Sequence, residues 1–244
     1  MNLFKPKFSN GQVLEIAGAR LVLRTNARAR RVSLRVDGAR GEVVAVAPNE
    51  RRLSEAVDFA HQRADWIAER LKARPQGAPF AAARPISLRG EPVRLEASGN
   101  AAAARFVRDD QGLRIVSGGE GDAFARRVER LLRAEAKREL QARTEVHAAA
   151  LGLKAPAVSI ADPKSRWGSC TPARGTIRYS WRLIMAPSWV LDYVAAHEVA
   201  HLIHADHSPR FWAVVKQLLG DEKAGRRWLR AHGHELHAVG RGGA

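Results

Sequence analysis

His197-Glu198-Val199-Ala200-His201 is the stretch that decides how this chain is read. Pro187-Ser188 opens a helical pattern before it, and Val190, Leu191, Val194 and Val199 supply apolar positions. On a helix, residues four apart share a face about 6 Å apart along the axis. Two imidazoles so placed can converge on one cation at a zinc–nitrogen distance of about 2.0–2.1 Å. Glu198 is rotated from His197 by about 100°, so it stands beside the ion without ligating it. That is where a general base for the water activated by such an ion must sit. An open catalytic site needs three protein ligands, so a third is required. On a continued helix, His204 would lie roughly 10 Å from His197 along the axis, too far for one ion. His207 follows Ala205-Asp206 and precedes Ser208-Pro209, a helix-stop pattern that lets the chain swing back. His207 is therefore the favoured third ligand over His204, with Glu222 and Glu235 behind them.

Working outward, Val158–Ile160 reads as a short strand, and Ser165–Cys170 with Thr176–Trp181 as a hairpin. Trp167 and Gly168 fall on its first strand, where an edge could hold an extended peptide and a glycine allows close backbone approach. Arg166 and Arg210 are candidates to hold a carboxylate or phosphate, or to serve as structural ion-pair partners. Tyr193, one turn before His197, is a candidate to orient a substrate oxyanion or a plain core residue. Cys170 reads as a soft second ligand or, more simply, a small buried hydrophobe. Phe211 and Trp212 read as packing for the metal-bearing helix. His232, His234 and His237 form a weaker cluster, read as a polar tail.

The rest of the chain is patterned differently. Strands are expected between Gln12 and Val46, with a turn at Asp37-Gly38. One apolar stripe, Leu53, Val57, Ala60, Ala64, Ile67 and Leu71, predicts a single helix that Asn49 or Ser54 caps. Pro75–Pro85 reads as a linker. A second strand region runs from Ile86 to Val116, and a long helix from Asp122 to about Leu151. A helix after each strand region hints at duplication, but the sequences do not align. The expectation is an α+β chain: a β-rich part with one helix over 1–120, then a catalytic part over 121–244.

Composition narrows the class. The 244 residues are 45% hydrophobic, enough for a globular core. The net charge of +16 would suit an anionic partner, yet the basic residues are spread along the chain rather than gathered. Cys170 is the single cysteine, so no intramolecular disulfide forms. With no secretory signal pattern and no membrane-length apolar run, a cytoplasmic protein without a membrane partner is expected. Oligomeric state is not legible.

Ser165-Arg166-Trp167-Gly168-Ser169-Cys170, Trp181-Arg182-Leu183, Tyr193-Val194, the His197–His201 motif and His207-Ser208-Pro209-Arg210-Phe211-Trp212 together resemble the YgjP-like metallopeptidase family. Its relatives include the WLM and SprT-like zincins. The specific match spans about residues 160–215, and the Arg30-Arg31 strand and Trp66-Ile67 helix also fit. The resemblance implies a zincin-like catalytic domain of helices and a small sheet, one zinc ion on His197, His201 and His207, and Glu198 as acid and base. Metzincins usually carry glycine where His204 stands; this chain looks like the WLM arrangement instead. It implies a peptide or protein substrate. A bacterial relative described as a UTP phosphohydrolase keeps nucleotide chemistry as an alternative, and SprT-like relatives add a protease docked on nucleic acid.

Overall fold

The computed structural model describes residues 8–37, 42–72 and 79–240. Contacts divide the chain into two compact units on either side of residue 76.

In the first unit, strands β1 (Val13–Ile16), β2 (Ala19–Thr25), β3 (Ser33–Asp37) and β4 (Glu42–Ala47) form one sheet in the order β1-β2-β4-β3. β2 and β4 run parallel, and each outer strand pairs antiparallel. Alternation puts Leu21, Leu23, Val43, Ala45 and Ala47 on the buried face. The expected single helix is two, α1 (Leu53–Gln62) and α2 (Ala64–Lys72), broken at Arg63. The break re-aims the second segment so that Ile67 enters the same core as Leu53 and Ala60. Asn49 caps the 3-10 turn ahead of α1 by accepting from the Arg52 amide at 3.3 Å. The expected turn at Asp37-Gly38 involves residues outside those described.

The second unit opens with the same topology. Strands β5 (Ile86–Leu88), β6 (Glu91–Ala97), β7 (Arg105–Asp109) and β8 (Gly112–Ser117) are ordered β5-β6-β8-β7, again antiparallel, parallel, antiparallel. The duplication hinted at by the element order is thus present in topology and absent from sequence. The sequence-based division near residue 120 differs from the observed one. Ile86, Leu88, Val93, Leu95 and Ile115 are buried in one core with Phe124, Val128 and Leu132 of the next helix, so sheet and helix cannot be parted there. Part of the expected Pro75–Pro85 linker lies outside the described residues, and Phe80 within it is a core residue.

That helix, α3 (Gly121–Ala150), has 30 residues and is about 45 Å long. Three short strands follow: β9 (Ala157–Ala161), β10 (Gly168–Thr171) and β11 (Thr176–Ser180), ordered β10-β11-β9. β10 is therefore an edge. A 3-10 turn, Trp181–Met185, leads to α4 (Ser188–Ala200), then α5 (Pro209–Leu219) and α6 (Lys223–Ala238). The expected polar tail is α6. Its glycines let it pack closely, and Gly225, Gly233 and Leu236 are buried. The architecture is α+β. No helix among the described residues is long and apolar enough to cross a membrane.

Candidate metal centre

α4 is buried nearly all round, through Val190, Leu191, Val194, Ala195, Ala196, Val199 and Ala200. Such a helix lies inside its unit rather than on its surface. Polar ties from α3 fix it further. His147 Nε2 lies 2.9 Å from Asp192 Oδ1, and Arg143 pairs with the same carboxylate at 3.6 Å. A side chain on α4 is therefore held by a packed frame.

The helix stops at Ala200, where the Ile203 and His204 amides both turn back to its carbonyl. His204 accordingly places its own carbonyl oxygen 3.0 Å from His201 Nδ1. Ser208 then caps α5, its Oγ accepting from the Phe211 amide at 3.5 Å, with Pro209 in the first turn. This reversal carries His207 back over α4. One ring nitrogen each of His197, His201 and His207 lies within 4.8 Å of the others. His207 Nε2 and His197 Nε2 are 3.2 Å apart. Two ligands on a tetrahedral zinc with bonds near 2.05 Å would sit about 3.3 Å apart, so the spacing fits one ion. Phe211 is buried beneath all three rings, with centroids 4.5 to 4.9 Å away.

The electrostatics agree with a cation site. Burial and the neighbouring histidines hold His197 down to about 3, so its ring is neutral, the form that can ligate a cation. Burial also lowers His201. The Nδ1–carbonyl contact assigns a proton to that nitrogen and leaves Nε2 of His201 as the free donor atom. His197 Nδ1 is buried and has no hydrogen-bond partner among the described residues. Glu198 is only 5% exposed, and burial pushes its carboxyl up to about 7 against the pull of Arg166. Gly168 of β10 makes this possible. A Cβ there would lie 2.4 Å from Glu198 Oε1 and 2.6 Å from its Cγ. Cys170 is partly buried, and burial pushes its thiol up to about 11, so it is a thiol at neutral pH.

A cleft passes over these groups in two lobes that share Arg166, Gly168, His197 and Glu198. One, about 280 Å³, is completed by Trp167, Tyr193, Arg226 and Leu229. The other, about 340 Å³, is completed by Ser169, Cys170, His201 and His207.

The YgjP-like, metallopeptidase domain family matches residues 30–232 of the chain. This chain belongs to that family. No curated protein matches it. Among solved structures it is similar to the crystal structure of the metallopeptidase zymogen of Pyrococcus abyssi abylysin, at 25% identity and a TM-score of 0.35, over 38% of this chain and 92% of that one.

In this YgjP-like chain the structure gathers most of the residues singled out from sequence. Arg166, Trp167, Gly168, Tyr193, His197, Glu198, His201 and His207 all border the cleft. Arg210 is exposed on α5 and lines neither lobe. His232 and His234 lie on α6 outside the histidine triad, and His237 stacks on Trp167 with centroids 4.4 Å apart. Sequence reasoning missed Arg226 and Leu229. The signal available was the pair Gly225 and Gly233. The first lies flat against the Tyr193 ring, where a Cβ would come within 2.3 Å, and the second lies against Trp167.

Proposed function

We propose that this member of a metallopeptidase family is a zinc-dependent peptidase whose proton carrier is Glu198. The observation that carries the reading is three imidazole nitrogens within 4.8 Å of one another beside a buried carboxyl. His197, His201 and His207 would hold the ion, and neutral imidazoles suit zinc. When bound, the ion supplies Lewis acidity, making a water easier to deprotonate and a carbonyl easier to attack.

The chain's own residues do the rest. Glu198, with a pKa brought near neutrality, takes a proton from the attacking water on a carboxylate oxygen and returns it to the departing amine nitrogen. Gly168 keeps that carboxyl free of a side chain's bulk. β10 is an edge strand, so one row of its backbone groups is open to pair with an extended peptide across the cleft. Trp167 and Tyr193 wall the α6 side. The edge strand favours a peptide over a nucleotide as the molecule that lies there.

The test is turnover of quenched peptides and of UTP by zinc-loaded protein, beside Glu198→Gln. Peptide cleavage should fall by about 10²–10⁴-fold in the variant while one zinc per chain is retained. Phosphate release from UTP without peptide cleavage, or a fully active Glu198→Gln, would overturn the reading.

A further inference from the structure

The two lobes of the cleft differ in charge, and α6 is the reason. The lobe beyond His197 and Glu198 has an apolar lining of Trp167, Tyr193 and Leu229, and carries two guanidiniums, Arg166 and Arg226. Both arginines are exposed. Neither forms an ion pair among the described residues. The Arg226 guanidinium carbon lies over the Trp212 ring, 5.6 Å from its centroid. It is close enough to act electrostatically on both His197 and Tyr193, as Arg166 is on Glu198. Glu222 also reaches Tyr193, yet it does not pair with Arg226. The other lobe, lined by Ser169, Cys170, His201 and His207, shares Arg166 but lacks the second arginine.

Resting on the peptidase reading, we propose that the α6-side lobe is a carboxylate-reading subsite, in which Arg166 and Arg226 select peptides bearing a carboxylate next to the scissile bond. The apolar lining takes the aliphatic stem and the guanidiniums take the head. A guanidinium is suited to this because its planar fork matches a carboxylate. A lysine in the same place meets two like charges and is rejected. Two sources supply such a carboxylate: an Asp or Glu side chain, and the terminal carboxylate of a peptide cut one residue from its end.

The experiment has a turnover arm and a binding arm. In the first, zinc-loaded protein is given end-capped quenched peptides that differ only in Glu, Ala or Lys at positions flanking the cleaved bond. A parallel pair ends one residue beyond that bond as free acid or amide. At one flanking position Glu should exceed Lys in kcat/KM by about tenfold, two exposed charge contacts being worth that much together. Preference for Glu inside the chain assigns the side-chain source; preference for acid over amide assigns the terminal one. In Arg226→Ala the ratio should fall toward one, and in Arg226→Glu it should invert.

The binding arm uses Glu198→Gln and fluorescence anisotropy of the same peptides, so it reads out whether or not cleavage occurs. Acidic peptides should bind about tenfold more tightly than basic ones, and less so as salt rises. Acid-selective binding that Arg226→Ala abolishes, without cleavage of any peptide, supports the subsite and rejects the peptidase. Cleavage or binding indifferent to charge, a preference untouched by both Arg226 variants, or UTP displacing the peptides at lower concentration than they bind overturns the subsite.

Discussion

Gly168→Ala tests the design of the centre with one methyl group. Gly168 does not have a positive φ, so the backbone there accepts an L residue without strain. The cost must come from contact. The added Cβ would lie 2.6 Å from Glu198 Cγ and Cδ and 2.4 Å from Oε1. Carbon atoms rest about 3.5–4.0 Å apart, so the overlap is about 1 Å. Glu198 sits on a helix buried nearly all round, and β10 is tied to β11 through the Gly168–Tyr179 pair. Neither backbone yields readily, so the carboxyl swings. Overpacking of this size costs about 1–3 kcal/mol. A catalytic group displaced by about 1 Å costs on the order of 100-fold in turnover. The expected result is an unfolding free energy in urea lowered by that amount, peptide kcat/KM down about 100-fold, and zinc content unchanged, since the three nearest atoms the methyl would meet all belong to Glu198. A double-mutant cycle isolates the cause. In a Glu198→Ala background the clash is gone, so adding Gly168→Ala should cost nothing, and the coupling should be about 1–3 kcal/mol. Wild-type turnover in Gly168→Ala, or a stability loss identical in both backgrounds, would refute the close approach of β10 to Glu198.

Three further outcomes follow from the same frame. Asp192→Ala leaves the buried His147 Nε2 without its acceptor and should destabilise by about 1–3 kcal/mol at pH 7 in urea unfolding. The hydrogen bond from His147 holds the Asp192 carboxyl below the usual range. Its stabilisation is therefore complete above the unfolded carboxylate pKa of about 3.9 and lost as pH falls through the lower folded value, so wild type and variant should converge in acid. Arg182, 3% exposed, pairs with Asp162 at 2.7 Å and donates to the Leu236 and Val239 carbonyls at the end of α6. Arg182→Met leaves the Leu236 and Val239 carbonyls without their donor, should cost about 1–3 kcal/mol, and should speed hydrogen exchange at that end of α6; unchanged exchange would reject the clasp. Chelation should lower Tm as well as abolish cleavage, because an ion that binds only the folded chain stabilises it by about 4 kcal/mol at a thousandfold excess over Kd. A Tm insensitive to chelator and zinc would count against the triad as a metal site.

What was legible in the sequence was local. Helical periodicity alone puts His197, Glu198 and His201 on adjoining positions, and the Asp206-Ser208-Pro209 pattern stops the helix soon enough to return His207. What was not legible was long-range. Gly168 and Glu198 are 30 residues apart, and their contact exists because β10 packs across α4. α6 escaped notice because glycines inside a helix weaken its signal. Those glycines are what admit Tyr193 and Trp167. The contact-based division falls after Gln76 rather than near residue 120 for a related reason: strands β5–β8 look like the first four by pattern, but their apolar face is buried on α3.

By itself, then, the order of amino acids set His197, Glu198 and His201 side by side, because four-residue spacing on a helix is a property of the backbone and needs no other segment. Tertiary structure alone decided what surrounds them. The burial that lifts the Glu198 carboxyl, the strand that crosses it and the two arginines at one end of the cleft come from segments distant in sequence, and such contacts are set by packing complementarity that no local pattern encodes.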